Sequence, residues 1–455
     1  MGKVSNKELK EDVNVEEIIK LANENDMVSQ FNLGALYEEG KGVEQSYEEA
    51  FKWYKKAADQ GHSSAQESIG ILYAEGKGVK KDEVKAVECF KIAANQGYAS
   101  AQYNLAIAYM NGKGVKQSRE EAFKWYKKAA DQGLAPAQKD LGVCYAKGYG
   151  VEVNDVKAVE YLMKAADQGH AEAQFEVGRN YYNGNVLEKD MDKVVEYFKK
   201  SADQGYTDAE YLLGMLYYNG TGVKQNHRAA FELFTKAAQK GLAAAQNDLG
   251  TCYRYGHGTE PSSSLAFEFY EKAANSGDLE GFYNLAVCYS EGIGTVKNNK
   301  KAFELYTKAA KQGHTLAQYN LAMMNINGRG IRKNNIRAAN LLAKCNTQGM
   351  KEAKEALNLM VKEKKITKEQ FDSLMKGEEI KESIIKKPLM YFIALTVIGC
   401  VIGALVCIIG SSINNVTYDS DMLQKYTNKG RDIGLCAGLV VGVILLVCNL
   451  IKNKK

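Results

Sequence analysis

The chain has 455 residues, with 60 Lys and Arg against 55 Asp and Glu and a formal net charge of +5. This length exceeds what one compact hydrophobic core usually holds, so the sequence predicts several domains or an extended array. Three prolines argue against a proline-rich linker, and the well-mixed charges argue against nucleic-acid binding, which normally needs a concentrated basic face.

Residues 1–28 form a polar N-terminal segment. They contain no apolar stretch of the kind found in a cleavable signal peptide, so none is expected. Val15, Ile18 and Ala22 have helical spacing, which predicts a half-repeat helix that caps an array. The nine cysteines show no disulfide framework, which favours a reducing compartment.

Residues 29–352 contain a 36-residue pattern that recurs nine times without a gap. Each copy has a small residue at position 1, an aliphatic residue at position 5, Gly or Ala at position 6, and glycine at positions 12 and 33. Position 9 is Tyr in every copy except the ninth, which has Asn325. The spacing of positions 1, 5, 6 and 9 predicts one apolar stripe on a first helix, called helix A here.

A second apolar stripe at positions 22, 26, 29 and 30 predicts a second helix, helix B. The small residue at position 6 should let helix B approach helix A closely. The glycines should end both helices, since glycine tolerates positive φ. One such pair cannot bury its own stripe, so stacking of neighbouring pairs must supply the core, and the fold class is all-α.

This pattern resembles the Sel1-like repeat family, which is related to the tetratricopeptide repeats. The resemblance covers residues 29–352 and implies a right-handed α-α superhelical solenoid that gathers partner proteins. Repeat 5 departs from the pattern, with Val186 in place of a turn glycine and Ser201 in place of an alanine. Repeat 7 carries Pro261 followed by Ser262–Ser264 in its turn. We expect a bend or a looser turn at both places.

Residues 353–387 are charged and helix-prone, and are predicted to form a C-terminal cap and a helical stalk. Thr367 and Gln370 have the spacing of a capping box, and Gly377 should end the helix that follows. The stalk leads into the C-terminal hydrophobic segments.

Residues 388–413 and 433–451 are apolar and predict a transmembrane helical hairpin. Each is long enough to cross about 30 Å of hydrocarbon. Residues 414–432 form a short polar loop between them, and residues 452–455 form a basic tail. Lysines on both outer flanks favour cytoplasmic termini and repeats, although the loop also carries three basic residues. Which membrane is involved does not follow from the sequence.

Five glycines in these two segments have the spacing that lets membrane helices pack closely. They are Gly399, Gly403, Gly434, Gly438 and Gly442. Two interpretations stay open: packing of the two spans within one chain, or a homo-oligomer or membrane partner.

No catalytic, cofactor or metal site stands out from the repeat pattern. The Gly-x-Gly turns, such as Gly40–Gly42, follow no predicted strand and lack the P-loop lysine, so they are interpreted as structural. His62, His170 and His314 share position 34 of distant repeats and cannot meet at one metal. We therefore predict a protein without enzymatic activity or cofactors.

By analogy with tetratricopeptide repeats, positions 3, 7, 10 and 11 of helix A should line a concave face that binds proteins or peptides. Aromatic and Arg side chains are typical of protein interfaces. The candidate partner-binding residues are Phe31, Tyr103, Phe175, Arg179, Tyr182, Tyr211, Tyr218, Arg254, Tyr255, Tyr283 and Tyr319. Two hypotheses stay open. The first is a groove around repeats 4–7 that takes a peptide, with the arginines favouring an acidic one, and the second is that the aromatic residues only pack neighbouring repeats.

The sequence thus predicts a membrane-anchored adaptor that presents its solenoid to the cytosol. The alternative is a Sel1-type subunit of a membrane ubiquitin-ligase or protein quality-control complex that recognises substrates. Family members of that kind usually present their repeats to the lumen behind a signal peptide.

Overall fold

The computed structural model describes residues 14–381. The chain divides into two compact units, Met1–Phe371 and Asp372–Lys455, and only residues 372–381 of the second are described. No described helix is both long and apolar enough to cross a bilayer. The predicted spans 388–413 and 433–451, their five glycines, the 414–432 loop and the 452–455 tail lie outside the described residues.

Every regular element in the described part of the chain is an α-helix. The helices A are α2 (Met27–Glu39), α4 (Ser63–Glu75), α6 (Ala99–Asn111), α8 (Ala135–Lys147), α10 (Ala171–Asn183), α12 (Thr207–Asn219), α14 (Ala243–Tyr255), α16 (Leu279–Glu291) and α18 (Thr315–Asn327). The helices B are α3 (Tyr47–Asp59), α5 (Glu83–Asn95), α7 (Arg119–Asp131), α9 (Asp155–Asp167), α11 (Met191–Asp203), α13 (His227–Gln239), α15 (Ser263–Asn275), α17 (Asn299–Lys311) and α19 (Asn335–Thr347). The predicted all-α array of nine helix pairs is confirmed.

Shorter helices flank the array. Helix α1 (Val15–Asn23) packs Val15, Ile18 and Ala22 against Leu33 and Leu36 of the first repeat. Helix α20 (Lys351–Lys362) follows the ninth repeat. The capping box predicted before α21 (Lys368–Met375) is present: the Thr367 N–H donates to Gln370 Oε1 at 2.8 Å, and the Gln370 N–H donates to Thr367 Oγ1 at 3.2 Å.

Within each repeat, helix B approaches helix A at position 6. A Cβ atom added to Gly34 would lie 2.6 Å from the ring of Tyr54, and one added to Gly70 would lie 2.6 Å from the ring of Phe90. The side chain at position 26 therefore takes the space that a side chain at position 6 would need. This column of buried residues is Tyr54, Phe90, Tyr126, Leu162, Phe198, Phe234, Tyr270, Tyr306 and Leu342.

Neighbouring repeats stack through an aromatic pair. The position 9 ring of Tyr73 meets the position 23 ring of Phe51 in the preceding repeat edge-on, with centroids 5.4 Å apart. Tyr145 and Phe123 repeat this arrangement at 5.4 Å, and Tyr253 and Phe231 at 5.4 Å. Edge-to-face contact is a favoured geometry for aromatic rings, so the recurring tyrosine supplies contact between units as well as burial.

A row of glutamines adds polar links to this apolar stacking. Gln138 donates from Nε2 to the carbonyl of Ala130 in the preceding repeat at 3.3 Å, and its Oε1 accepts from Gln168 at 2.7 Å. The same two bonds recur at Gln30, Gln102 and Gln174. Repeat 6 instead pairs Glu210 with Lys240 at 2.7 Å, and Glu210 Oε2 has no hydrogen-bond partner among the described residues.

The turn of repeat 5 is looser than the others, as its sequence predicts. The main-chain bond that closes the turn, from the Asp190 N–H to the Tyr181 carbonyl, measures 3.4 Å, against 2.7–3.0 Å in the other eight repeats. A cavity of about 590 Å³ opens beside it, lined by Tyr181 and residues 187–193. The substitution of glycine by Val186 accompanies this loosening.

The corresponding prediction for repeat 7 is wrong. There the Ser262 N–H donates to the Tyr253 carbonyl at 2.8 Å, so the turn is closed normally. Pro261 is tolerated because the N–H of the equivalent residue in the other described repeats donates to no main-chain carbonyl.

Candidate functional site

Phe31, Tyr103, Phe175, Tyr211 and Tyr283, the predicted binding residues at position 3 of repeats 1, 3, 5, 6 and 8, pack against the ring at position 26 on helix B of their own repeat. Phe31 stacks on His62, with ring centroids 4.6 Å apart, and lies 5.6 Å from Tyr54. The same kind of contact is made by Tyr283 with His314 and Tyr306, Tyr103 with Tyr126, Phe175 with Phe198, and Tyr211 with Phe234. Tyr319 is half-buried at the equivalent place. These rings have a packing role, and a partner-binding role for them stays a prediction.

Two of these tyrosines also connect repeats through their hydroxyl groups. Tyr103 donates to Asp140 Oδ2 at 3.0 Å, and Tyr211 donates to Asp248 Oδ2 at 3.0 Å. Burial, followed by the charge of the accepting carboxylate, raises the pKa of both phenols. They therefore stay protonated at neutral pH and act as hydrogen-bond donors.

The two predicted arginines already have carboxylate partners. Arg179 lies 3.1 Å from Glu176, and Arg254 lies 3.6 Å from Glu291. The arginines are therefore not uncompensated charges awaiting an acidic peptide. Tyr182 and Tyr255 beside them are the exposed aromatics of the predicted set, at 46% and 56% exposure.

Tyr218 and Tyr255 both contact His257, which stacks on His227. The repeat pattern did not predict this group of four side chains. The hydroxyl of Tyr218 lies 2.7 Å from His257 Nδ1, and the rings of His257 and His227 stack with centroids 4.8 Å apart. Tyr255 lies 5.8 Å from His257. Burial and then the charge of His227 lower the pKa of His257, which favours its neutral form.

The three histidines at position 34 have a different role, that of helix N-caps. The Nδ1 atoms of His62, His170 and His314 accept from the N–H groups of Ala65, Ala173 and Ala317 at 3.2, 3.3 and 3.1 Å. Among the described residues, no cluster of three or more His, Cys, Asp or Glu side chains has a geometry that could hold a metal.

The cysteine column and the Gly-x-Gly turns are also part of the packing. Burial raises the pKa of Cys144 and Cys252 to about 12 and of Cys288 to about 11, so these thiols are poor nucleophiles at neutral pH. A Cβ added at Gly114, the second glycine of its turn, would overlap the main-chain carbonyl of Glu83 in the preceding repeat. This side of the turn is thus already occupied by protein.

The described array matches known proteins along most of its length. The Sel1 repeat family matches residues 28–62, 63–98, 99–134, 135–170, 171–206, 207–242, 243–278, 283–314 and 315–349. Among solved structures, a Sel1 repeat protein from Oxalobacter formigenes is 31% identical, with a TM-score of 0.51, and the match covers 70% of this chain and 95% of that one.

A protective antigen of uropathogenic Escherichia coli with an SLR fold is 29% identical, with a TM-score of 0.48, over 80% of this chain and 93% of that one. No curated protein matches the chain. Nine consecutive family matches that coincide with the nine helix pairs place the chain in the Sel1 repeat family, to which it belongs.

Proposed function

We propose that this protein is a non-enzymatic adaptor that binds partner proteins through the helix A surface of its Sel1 array. The observation that supports this most directly is the exposure of Tyr182 and Tyr255 on helices α10 and α14. An exposed tyrosine offers a large rigid contact area at low conformational cost, and such residues dominate interface energetics. Neither position requires an aromatic residue in the repeat pattern, since repeat 2 has Ala74 at position 10 and Glu75 at position 11.

The binding role is tested by comparing two surfaces of the same molecule. The double substitution Tyr182→Ala and Tyr255→Ala should release captured partner proteins, with a loss of about 2 kcal/mol or more if both are interface anchors. Ile92→Ala is the matched control, because Ile92 is also 46% exposed but lies on helix B. Equal capture by the double variant and wild type would contradict the proposal.

The proposed adaptor is held at a membrane by residues 388–413 and 433–451, with its repeats on the cytosolic side. The support is the length and apolarity of both segments and the lysines at their outer ends. Protease treatment of sealed vesicles of known orientation tests this arrangement. Digestion of the array from the cytosolic side, with the 414–432 loop protected, is the expected result. A protected array would contradict it and favour a lumenal quality-control subunit.

A further inference from the structure

The last two repeats concentrate positive charge at the edge of the array where helix A turns into helix B. Residues 290–301 and 326–337, which are positions 10–21 of repeats 8 and 9, contain seven Lys and Arg and one carboxylate, Glu291. The equivalent residues of repeat 1, 38–49, contain five glutamates and one lysine. Charges that are well mixed over the whole chain are therefore separated along this edge. Its positive part, residues 297–301 and 329–337, is called the basic edge here.

Stacking of repeats 8 and 9 brings the two stretches of the basic edge into contact. A Cβ added at Gly330, in the turn of repeat 9, would overlap the main-chain carbonyl of Asn299 at the start of α17 in repeat 8. Arg329 precedes this glycine and Lys300 follows this asparagine, so the two cations flank the contact. All seven basic residues are exposed, and they form one continuous surface.

No carboxylate in the described part of the chain neutralises the basic edge. None of its Lys or Arg forms an ion pair among the described residues, and Glu291 pairs with an arginine of repeat 7 at 3.6 Å. Lys301 lies over the ring of Tyr289 at 4.8 Å, and Arg337 lies over the ring of Phe303 at 5.2 Å. These two cations therefore contact rings and not carboxylates.

The basic residues also lie where the helix dipole disfavours them. The partial charge at a helix N-terminus is positive, so acidic residues are favoured in the first turn. Helix α3 follows this rule with Glu48 and Glu49. Helices α17 and α19 have no acidic residue in their first turns and carry Lys300, Lys301 and Arg337 there. Helix stability does not explain this placement, whereas binding of an anionic surface does.

An exposed apolar side chain lies in the same turn as the first of these cations. Val296 is 85% exposed, more than any other large hydrophobic residue of the described chain. In repeats 1 and 2 the turn valine stands one position earlier, where Val43 and Val79 pack into the core, but repeat 8 has Thr295 at that position. An apolar residue beside exposed cations matches a bilayer surface, where anionic headgroups lie next to acyl chains.

We propose that the basic edge binds the anionic phospholipid surface of a membrane, with Val296 entering the headgroup region. Anionic lipids attract Lys and Arg residues that lie near the surface. Among the described residues of repeats 8 and 9, no aromatic residue is exposed, so the edge lacks the stacking platform typical of single-stranded nucleic-acid sites. This inference rests on the proposed membrane attachment and adds a second contact to it, in the repeats that precede the predicted spans in sequence.

The test uses the full chain incorporated into lipid vesicles, with an environment-sensitive fluorescent amino acid at position 296. A nitroxide carried by the lipid should quench it in vesicles of phosphatidylcholine and phosphatidylserine, but not in vesicles of phosphatidylcholine alone. High salt should remove the quenching, because it screens the charges. Position 153 is the matched control, since Val153 is 62% exposed in the turn of repeat 4, where residues 146–157 carry two basic and two acidic residues. Equal quenching at both positions, or none at position 296 in the anionic vesicles, would overturn the inference.

Charge reversal localises the contact. Lys300→Glu with Lys333→Glu should reduce the quenching at position 296 about tenfold or more without loss of helical circular dichroism. Lys116→Glu with Lys224→Glu is the control, because it changes the net charge equally at exposed lysines on the same edge of repeats 3 and 6. The control variant should be quenched like wild type. An equal loss in both variants, or no loss in a folded Lys300→Glu with Lys333→Glu variant, would contradict the assignment.

The inference and the proposed attachment fail separately. If the chain separates from phosphatidylcholine vesicles but binds anionic vesicles in a salt-sensitive way, the predicted spans do not anchor it and the basic edge stands. If the chain stays with both kinds of vesicle and position 296 is quenched in neither, the attachment stands and the inference is wrong. A response of position 296 to an RNA oligonucleotide, without quenching by anionic lipid, would identify a nucleic-acid surface and also overturn the inference.

Discussion

Gly114→Ala tests how the repeats are stacked. Gly114 has a φ of 68°, and its missing side chain faces the main chain of Glu83 at the start of helix B in the preceding repeat. Gly97 is the matched control: its φ is 88°, and a Cβ there would meet nothing within 4 Å. Both substitutions carry the cost of a left-handed backbone, but only Gly114→Ala also pushes two repeats apart.

The expected magnitudes follow from these two terms. An alanine forced into the left-handed region costs about 1–2 kcal/mol, which should be the whole effect of Gly97→Ala. Overpacking against a main-chain atom adds about 1–3 kcal/mol at Gly114, because a carbonyl cannot rotate away as a side chain can. Gly114→Ala should therefore lower the free energy of unfolding by about 1 kcal/mol or more beyond the effect of Gly97→Ala.

Urea unfolding followed by circular dichroism measures both variants. A lower midpoint for Gly114→Ala than for Gly97→Ala is expected, together with a broader transition if stacking between repeats 2 and 3 is uncoupled. Equal midpoints would refute the conclusion that the second turn glycine is required by contact between repeats.

Four further variants extend the account. Gln138→Leu should cost about 1–3 kcal/mol in thermal unfolding, because it removes the hydrogen bonds that Gln138 makes with the Ala130 carbonyl and with Gln168. The double variant Glu210→Gln with Lys240→Gln restores the glutamine row and should raise stability by about 1 kcal/mol; a lower melting temperature would contradict this. Val186→Gly should slow proteolysis at residues 187–190 by tightening the turn of repeat 5, and unchanged cleavage there would contradict the turn analysis. Because burial and its acidic neighbours raise the pKa of Asp248, its contribution to stability is complete below its unfolded pKa of about 3.9 and is lost as pH rises through the folded pKa. Asp248→Asn should therefore stabilise the array at neutral pH but not near pH 3, and an equal effect at both would contradict the shift.

The sequence predicts well the features that depend only on the spacing of residues within one repeat. The period, the helix pair and the glycines at positions 12 and 33 follow from local spacing. The close approach at position 6 also followed, because only Gly or Ala occurs there. For the same reason, the loosened turn of repeat 5 could be predicted from Val186 alone.

The features that were missed depend on residues that meet across repeats. Gln138 donates to the Ala130 carbonyl of the preceding repeat, and His257 stacks on His227 of the preceding repeat. The glutamine contact recurs between equivalent residues of other repeats, but their sequence separation predicts a contact only when the stacking geometry is known. The prediction of a looser turn at Pro261 was wrong because proline disturbs a turn only where the N–H it lacks would donate a hydrogen bond, and here it would not.

The candidate site shows the same division. The sequence identified the aromatic and Arg residues of helix A, but not that Arg179 and Arg254 are already paired. It also could not show that Lys139 lies between Asp140 and Glu172, since Lys139 on α8 meets Glu172 on α10 only when the repeats stack in space.

Site-specific photo-crosslinking tests the central claim, that partners bind the helix A surface, most directly. A benzophenone side chain introduced at Tyr182 on helix A is compared with one at Ile92 on helix B, since both positions are 46% exposed. The account predicts covalent partner adducts from position 182 and none from position 92. Adducts from position 92 alone, or in equal yield from both positions, would contradict it.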